Sequence, residues 1–174
     1  MIAPLVALVA TVWLAVLVAA PVLPSSMAAL TYSVGSFICH QLPERSFHLG
    51  ATQLPVCARC LGIYAGLAIG ALGCLVLGAD IRARLTRSSE SPPRLDLTSS
   101  AARWIIVVAA LPTIVTVALE WLDVRPVSNA GRAVAGAALG IGMATVVMSA
   151  LATLHYSSCV PRRPTVPSPP PPPG

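Results

Sequence analysis

The chain contains no lysine. All 11 of its basic residues are Arg, they face only six Asp and Glu, and charged residues make up 10% of the 174. Soluble domains carry about 25% charged residues, so a surface wetted on all sides is excluded. The net charge of +5 does not indicate nucleic acid, because the arginines are scattered beside apolar runs rather than gathered on amphipathic stretches. Walker, Rossmann and H-E-x-x-H signatures are absent, which argues against nucleotide chemistry. Arg without Lys, beside abundant Ala, Val and Pro, is the composition of a GC-rich bacterial genome.

What is present is apolar: 56% of residues are hydrophobic and the mean hydropathy is +0.80. A bilayer core of about 30 Å needs roughly 20 apolar residues in a helix. Four runs meet that length, at about 2–22, 60–79, 104–122 and 133–154, with Trp104 and Trp121 placed like an interfacial belt. Cleavage of the first run as a signal peptide is disfavoured. It has no Arg or Lys before it and exceeds the usual 7–15 apolar residues of such a segment. The expected fold is therefore an all-α integral membrane protein, a four-transmembrane-helix bundle in a lipid bilayer.

Loop charge sets the orientation. Residues 80–103 carry Arg82, Arg84, Arg87, Arg94 and Arg103, and the tail carries Arg162 and Arg163. The opposite side has Arg45, Arg59, Arg125 and Arg132. The positive-inside rule places the Arg-rich loop and both termini in the cytoplasm, and the segment 24–58 outside the cell membrane. The Pro-rich tail, 157–174, reads as disordered or polyproline II. Gly62-x3-Gly66-x3-Gly70 and Gly136-x3-Gly140 are spaced for close helix approach. They read first as packing faces within one bundle, and the same faces would support a homo-oligomer.

The polar chemistry is concentrated in "FICHQLPERSFHLGATQLPVCARCLGIYAG", residues 37–66. Cys57 and Cys60 flank Arg59 where the second span begins, and Pro55 suits a first helical turn there. A helix N-terminus and an adjacent Arg both favour thiolate, the form that binds metal or attacks disulfides. Cys39, Cys57 and Cys60 with one histidine make a Cys3His set suited to tetrahedral zinc, His40 and His48 competing for the fourth place. Glu44, Arg45, Arg59, Tyr64 and Arg132 would hydrogen-bond around the ligands. Four protein ligands imply a structural site. Three would leave a position at which water could be activated for hydrolysis, with Glu44 or Glu120 as the base to test. Cys57 and Cys60 could instead form a redox pair, or an inert disulfide could join Cys57 to Cys60 or Cys39 to Cys57.

Two resemblances bear on this choice. "CHQLPERSF" followed by "PVCARCLGIYAG" resembles an uncharacterised family of bacterial and archaeal predicted multi-spanning membrane proteins, a domain of unknown function. Its motif residues are Cys39, His40, Gln41, Arg45, Ser46, Cys57, Arg59, Cys60, Gly62 and Tyr64. Weaker likeness continues through Leu111-Pro112, Arg125, Asn129, Arg132 and Gly136. The resemblance implies a small polytopic membrane protein with no established activity, and it favours His40 over His48 as fourth ligand. Family members tend to carry Asp where this chain reads Thr116, although Glu120 follows one turn later on the same face. "CARCLGIY" is also similar to the disulfide-generating membrane proteins, in which C-x2-C opens a helix on the outer side. That likeness implies a thiol:quinone oxidoreductase, but those enzymes use a second outer Cys pair and here only Cys39 is available. A scaffold subunit of a larger membrane complex is the third reading.

Glu120, Asp123, Arg125 and Arg132 fall at the same membrane level as the cysteines. An ionisable residue in a span is a functional candidate, and a Glu120–Arg132 pair that fixes helix packing is the plainer alternative. Cys74 reads as a small core residue, and His155 and Cys159 lie at the cytoplasmic edge, away from the cluster.

Overall fold

The computed structural model describes residues 2–88 and 100–159. Residues 89–99 of the Arg-rich loop and 160–174 of the tail lie outside the described residues, as do the side chains of Arg82, Arg84, Arg87, His155 and Cys159. The described residues form five α-helices: α1 (Ile2–Ala19), α2 (Ser25–Ile38), α3 (Ala58–Ser88), α4 (Ser100–Trp121) and α5 (Asn129–Cys159). Between α2 and α3 lie a 3-10 turn, Pro43–Arg45, and two antiparallel strands, β1 (Ser46–Leu49) and β2 (Thr52–Cys57). Among the described residues, four stretches are long and apolar enough to cross a membrane: Ile2–Val22, Ala58–Gly78, Ala102–Trp121 and Asn129–Ala152.

The segment 24–58, expected as a loop, is thus ordered as a helix and a hairpin, and the chain is not purely α. Pro55 is a second difference, because it lies in β2 rather than in the first turn of a helix. The strand register shifts between Ser46 and His48, and Pro55 falls opposite that irregular stretch, where no ladder donor is demanded of it. Gly50, at φ 63°, makes the tight reversal between the strands.

Helices α3 and α5 run parallel with their backbones almost touching. A Cβ on Gly62 would lie 2.0 Å from the Ala133 carbonyl oxygen, and one on Gly136 would lie 2.2 Å from that of Arg59. The small-residue motifs are therefore an intrachain packing face, which hydrogen at those positions alone permits. α4 runs antiparallel to α5: Thr113 Oγ1 donates to the Ala135 carbonyl at 2.9 Å, while Ala109 meets Gly142. α1 runs antiparallel to α3, since Ala7 packs with Ala71 at one end and Leu17 with Cys60 and Leu61 at the other. Cys74 packs against the Ala7–Ala71–Ala144–Met148 core, as a small apolar residue does.

The outward faces are apolar. Leu5, Leu8 and Val9 of α1 and Trp104, Val108 and Ile114 of α4 are each more than half exposed. Soluble monomers rarely show contiguous apolar surface on this scale. The N-termini of α3 and α5, the C-termini of α1 and α4, and the hairpin all meet at one end of the helices. The functional side chains are gathered there.

Candidate metal centre

Three separate elements deliver the cysteines. Cys39 ends α2 in an extended conformation, φ −145° and ψ 138°. Cys57 is the last residue of β2, and Cys60 lies in the first turn of α3. Their three sulfur atoms lie within 4.8 Å of one another, and the cysteines are free. The Cys57 N–H donates to Cys39 Sγ at 3.1 Å, linking the α2 end to the strand end. Leu17 and Val56 are buried beside Cys39, and Trp13, Leu61 and Tyr64 pack around the group. Trp13 and Tyr64 meet edge to face with ring centroids 6.2 Å apart.

The Cys57 thiol is pulled down to about 5. The largest cause is a hydrogen bond from the Cys60 side chain. Burial opposes it, and the backbone N–H groups of Cys60 and Arg59 and the Cys39 side chain assist. The open N-terminus of α3 supplies those N–H groups.

The histidines are not brought to this group. His40 and His48 are both exposed, and among the described residues the cluster consists of cysteines alone. The reason is local. Successive side chains on extended backbone point to opposite sides, so turning Cys39 inward turns His40 outward, and the inward place on β1 is taken by Ser46. Glu44 is likewise exposed.

Gln41 holds the cluster's approach in place, and its role was not apparent beyond motif membership. It adopts φ 51°, rare for a residue with a Cβ. Its Nε2 donates to the carbonyls of Tyr32 at 2.8 Å and Pro55 at 2.7 Å. Its own carbonyl accepts from Gln53 Nε2 at 2.6 Å, and Tyr32 Oη donates to the Gln53 carbonyl. These bonds tie α2 to β2 and set Cys39 against Cys57. The signal that could have found Gln41 is its position two residues before Pro43, whose restriction of Leu42 to extended backbone forces a sharp turn.

Beside the thiols, Glu120 at the end of α4 collects three arginines. Arg132 Nε donates to its Oε1 at 2.7 Å, Arg59 Nη2 lies 3.4 Å from the same oxygen, and Arg45 Nη1 lies 3.9 Å from Oε2. Arg59 also reaches Thr116 Oγ1 at 3.4 Å. The Glu120–Arg132 pair read from sequence is present, and Arg45 and Arg59 extend it into a network. Asn129, which the sequence marks only through the weaker family likeness, accepts from Arg132 Nη1 at 2.7 Å and donates to the Ser46 carbonyl at 3.0 Å, joining α5 to the hairpin.

With this geometry in view, the similarities of the chain become informative. An uncharacterized protein of Methanocaldococcus jannaschii is 27% identical over 125 residues, covering 72% of this chain and 70% of that protein. An uncharacterized protein of Methanothermobacter thermautotrophicus is 27% identical over 110 residues, 63% of this chain and 84% of that protein. No solved structure matches. The family described as Predicted membrane protein (DUF2085) matches residues 39–146, from the first clustered cysteine to the middle of α5. The chain belongs to that family of predicted membrane proteins.

Proposed function

We infer that the protein spans the cytoplasmic membrane as a four-helix bundle and carries a soft-metal site, zinc by its chemistry, on the extracytoplasmic face. The observation that carries this reading is the convergence of three free sulfur atoms within 4.8 Å from three different elements. Thiolates around tetrahedral zinc, with Zn–S near 2.3 Å, stand about 3.8 Å apart, so only a small contraction is required. Cys39, Cys57 and Cys60 would hold the ion. A thiolate-only donor set selects zinc over magnesium or calcium, and bound metal would supply cross-linking of α2, β2 and α3. Three protein ligands leave a fourth position to a non-protein ligand or to a rearranged His40. Because Glu120 already receives three guanidiniums, a structural site fits better than a hydrolytic one.

Metal content per chain and free-thiol count on purified protein test the reading together. About one zinc per chain, lost in Cys39→Ser and Cys60→Ser, is expected. Metal-free protein with three reactive thiols overturns it. The orientation rests on the Arg distribution. A membrane-impermeant thiol reagent should fail to label Ser89→Cys in intact cells, and labelling there would put the cluster in the cytoplasm.

One observation favours a second reading, the thiol:quinone oxidoreductase. An apolar cavity of about 430 Å³ lies between α1, α3 and α5, and Trp13 and Tyr64 form its wall on the side of the cysteines. In this reading Cys57 and Cys60 lose two electrons and two protons as the S–S bond forms, and a quinone takes up both as quinol. Metal-free protein whose Cys57–Cys60 disulfide forms stoichiometrically with added quinone would establish it.

A further inference from the structure

The Arg45–Arg59–Arg132–Glu120 group carries more positive charge than it needs for its own pairing. Three guanidiniums face one carboxylate, an excess of two positive charges. Glu44 and Asp123, the other carboxylates nearby in sequence, are exposed and enter no ion pair among the described residues. A zinc ion on three thiolates would add only one negative charge beside the group, so an excess remains on either reading of the cysteines.

The pairing is also uneven. Charge-assisted N–H···O bonds run about 2.7–2.9 Å, and only Arg132 reaches that range. Arg59 and Arg45, at 3.4 and 3.9 Å, are loosely held. Arg59 Nε is buried and has no hydrogen-bond partner among the described residues, although a buried donor is ordinarily satisfied. Both α3 and α5, each of 31 residues, begin at this place, so that their positive dipole ends lie beside it. Arg45 stands at the mouth, with 47% of its side chain exposed.

We propose that Arg45 and Arg59, braced by the Arg132–Glu120 pair, form a binding site for a phosphate group. The planar guanidinium fork matches phosphate oxygens in a bidentate manner, and the buried Nε gains the acceptor that it lacks. The depth suits the ligand. Arg59, Glu120 and Arg132 each lie within three residues of an end of a membrane-length apolar stretch, the level at which lipid headgroups carry their phosphates. The phosphate of an anionic lipid and free inorganic phosphate share this chemistry, and the experiment separates them.

The full chain, purified in neutral detergent, is titrated with phosphatidylglycerol in mixed micelles and, separately, with inorganic phosphate against chloride at matched ionic strength. Bound lipid is counted by native mass spectrometry and the melting midpoint is followed. One phosphatidylglycerol per chain, with affinity reduced at least tenfold in Arg45→Gln and unchanged in Arg125→Gln, identifies a lipid headgroup site. A raised midpoint with inorganic phosphate over chloride, abolished by Arg45→Gln alone, identifies free phosphate. The exposed, loosely paired Arg45 is chosen so that the variant folds, and the wild-type comparison of phosphate with chloride stands without any variant. Neither probe having an effect, or Arg45→Gln and Arg125→Gln losing affinity equally, overturns the proposal.

Discussion

Glu120, in the last turn of α4, accepts from Arg132 Nε in the first turn of α5 at 2.7 Å, and the Glu120 side chain is only 8% exposed. The two residues close the short connection between two antiparallel helices. The same carboxylate also draws in Arg59 from α3 and Arg45 from the turn before β1. One acidic side chain thereby gathers four segments at the end where the cysteines lie.

Removing that charge should be severe. Glu120→Gln leaves the partly buried Arg59 and Arg132 guanidiniums without their counter-ion, and breaking a buried pair in this way costs up to about 3–5 kcal/mol. Reversible denaturation in detergent should show a loss of that size. The double variant with Arg132→Gln should lose much less than the sum of the single losses, because the two side chains are in direct contact. Additive losses would mean that the pair is not coupled.

The α3–α5 contact gives an internally controlled comparison. Gly62→Ala places a methyl group 2.0 Å from the Ala133 carbonyl oxygen, whereas Gly73 has nothing within 4 Å. Gly62→Ala should destabilise by about 1–3 kcal/mol through overpacking. Gly73→Ala should be neutral or stabilise by up to about 1 kcal/mol through helix propensity. Melting midpoints of the two variants should move in opposite directions or differ clearly in size, and equal shifts would show that these helices do not meet at Gly62.

The Cys57 thiol should titrate far below an ordinary cysteine. In zinc-free protein its alkylation rate by iodoacetamide should reach half-maximum near pH 5, the value to which the Cys60 side chain, against burial, lowers it. Cys60→Ala, which removes that donor, should move the midpoint upward. The linkage has a definite sign. The folded state favours the thiolate, so this contribution is complete above the unfolded thiol value of about 8.5 and is lost as pH falls toward about 5. The melting midpoint of zinc-free protein should fall across that window, and Cys57→Ser should flatten the dependence. A flat wild-type profile would refute the thiolate.

The histidines provide the sharpest contrast between composition and geometry. Both are exposed, and the three sulfur atoms form the cluster without them. His40→Ala and His48→Ala should therefore retain zinc under conditions in which Cys39→Ser releases it, as followed by metal content after dialysis against a chelator. Loss of zinc in His40→Ala alone would show that the Cys39–Gln41 turn rearranges to supply a fourth ligand.

How much of this was legible in the sequence follows from the range of the forces involved. The four membrane-length stretches could be read because their cause is local. A backbone in hydrocarbon must satisfy its own hydrogen bonds, and about 20 uncharged residues in a row announce that requirement. The glycine spacing of α3 and α5 was readable for the same reason, as was the meeting of Cys57 and Cys60, three residues apart. The pairing of Glu120 with Arg132 was within reach because both flank one short turn.

Only the tertiary structure decided the rest. Cys39 is 18 residues from Cys57, and a small ordered unit of α2, the Gln41 turn and the β hairpin brings their sulfur atoms together. That unit has the sequence character of a loop because its strands are short and β2 contains Pro55, so no sustained period of two appears. The exclusion of His40 depends on the backbone angles of Cys39, since extended backbone sends neighbouring side chains to opposite sides. Composition carries no trace of that choice. The gathering of Arg45 and Arg59 onto Glu120 is likewise a matter of place. Sequence showed that charges were few and near the ends of spans, but only the packing of α3, α4 and α5 determined which of them share one buried site.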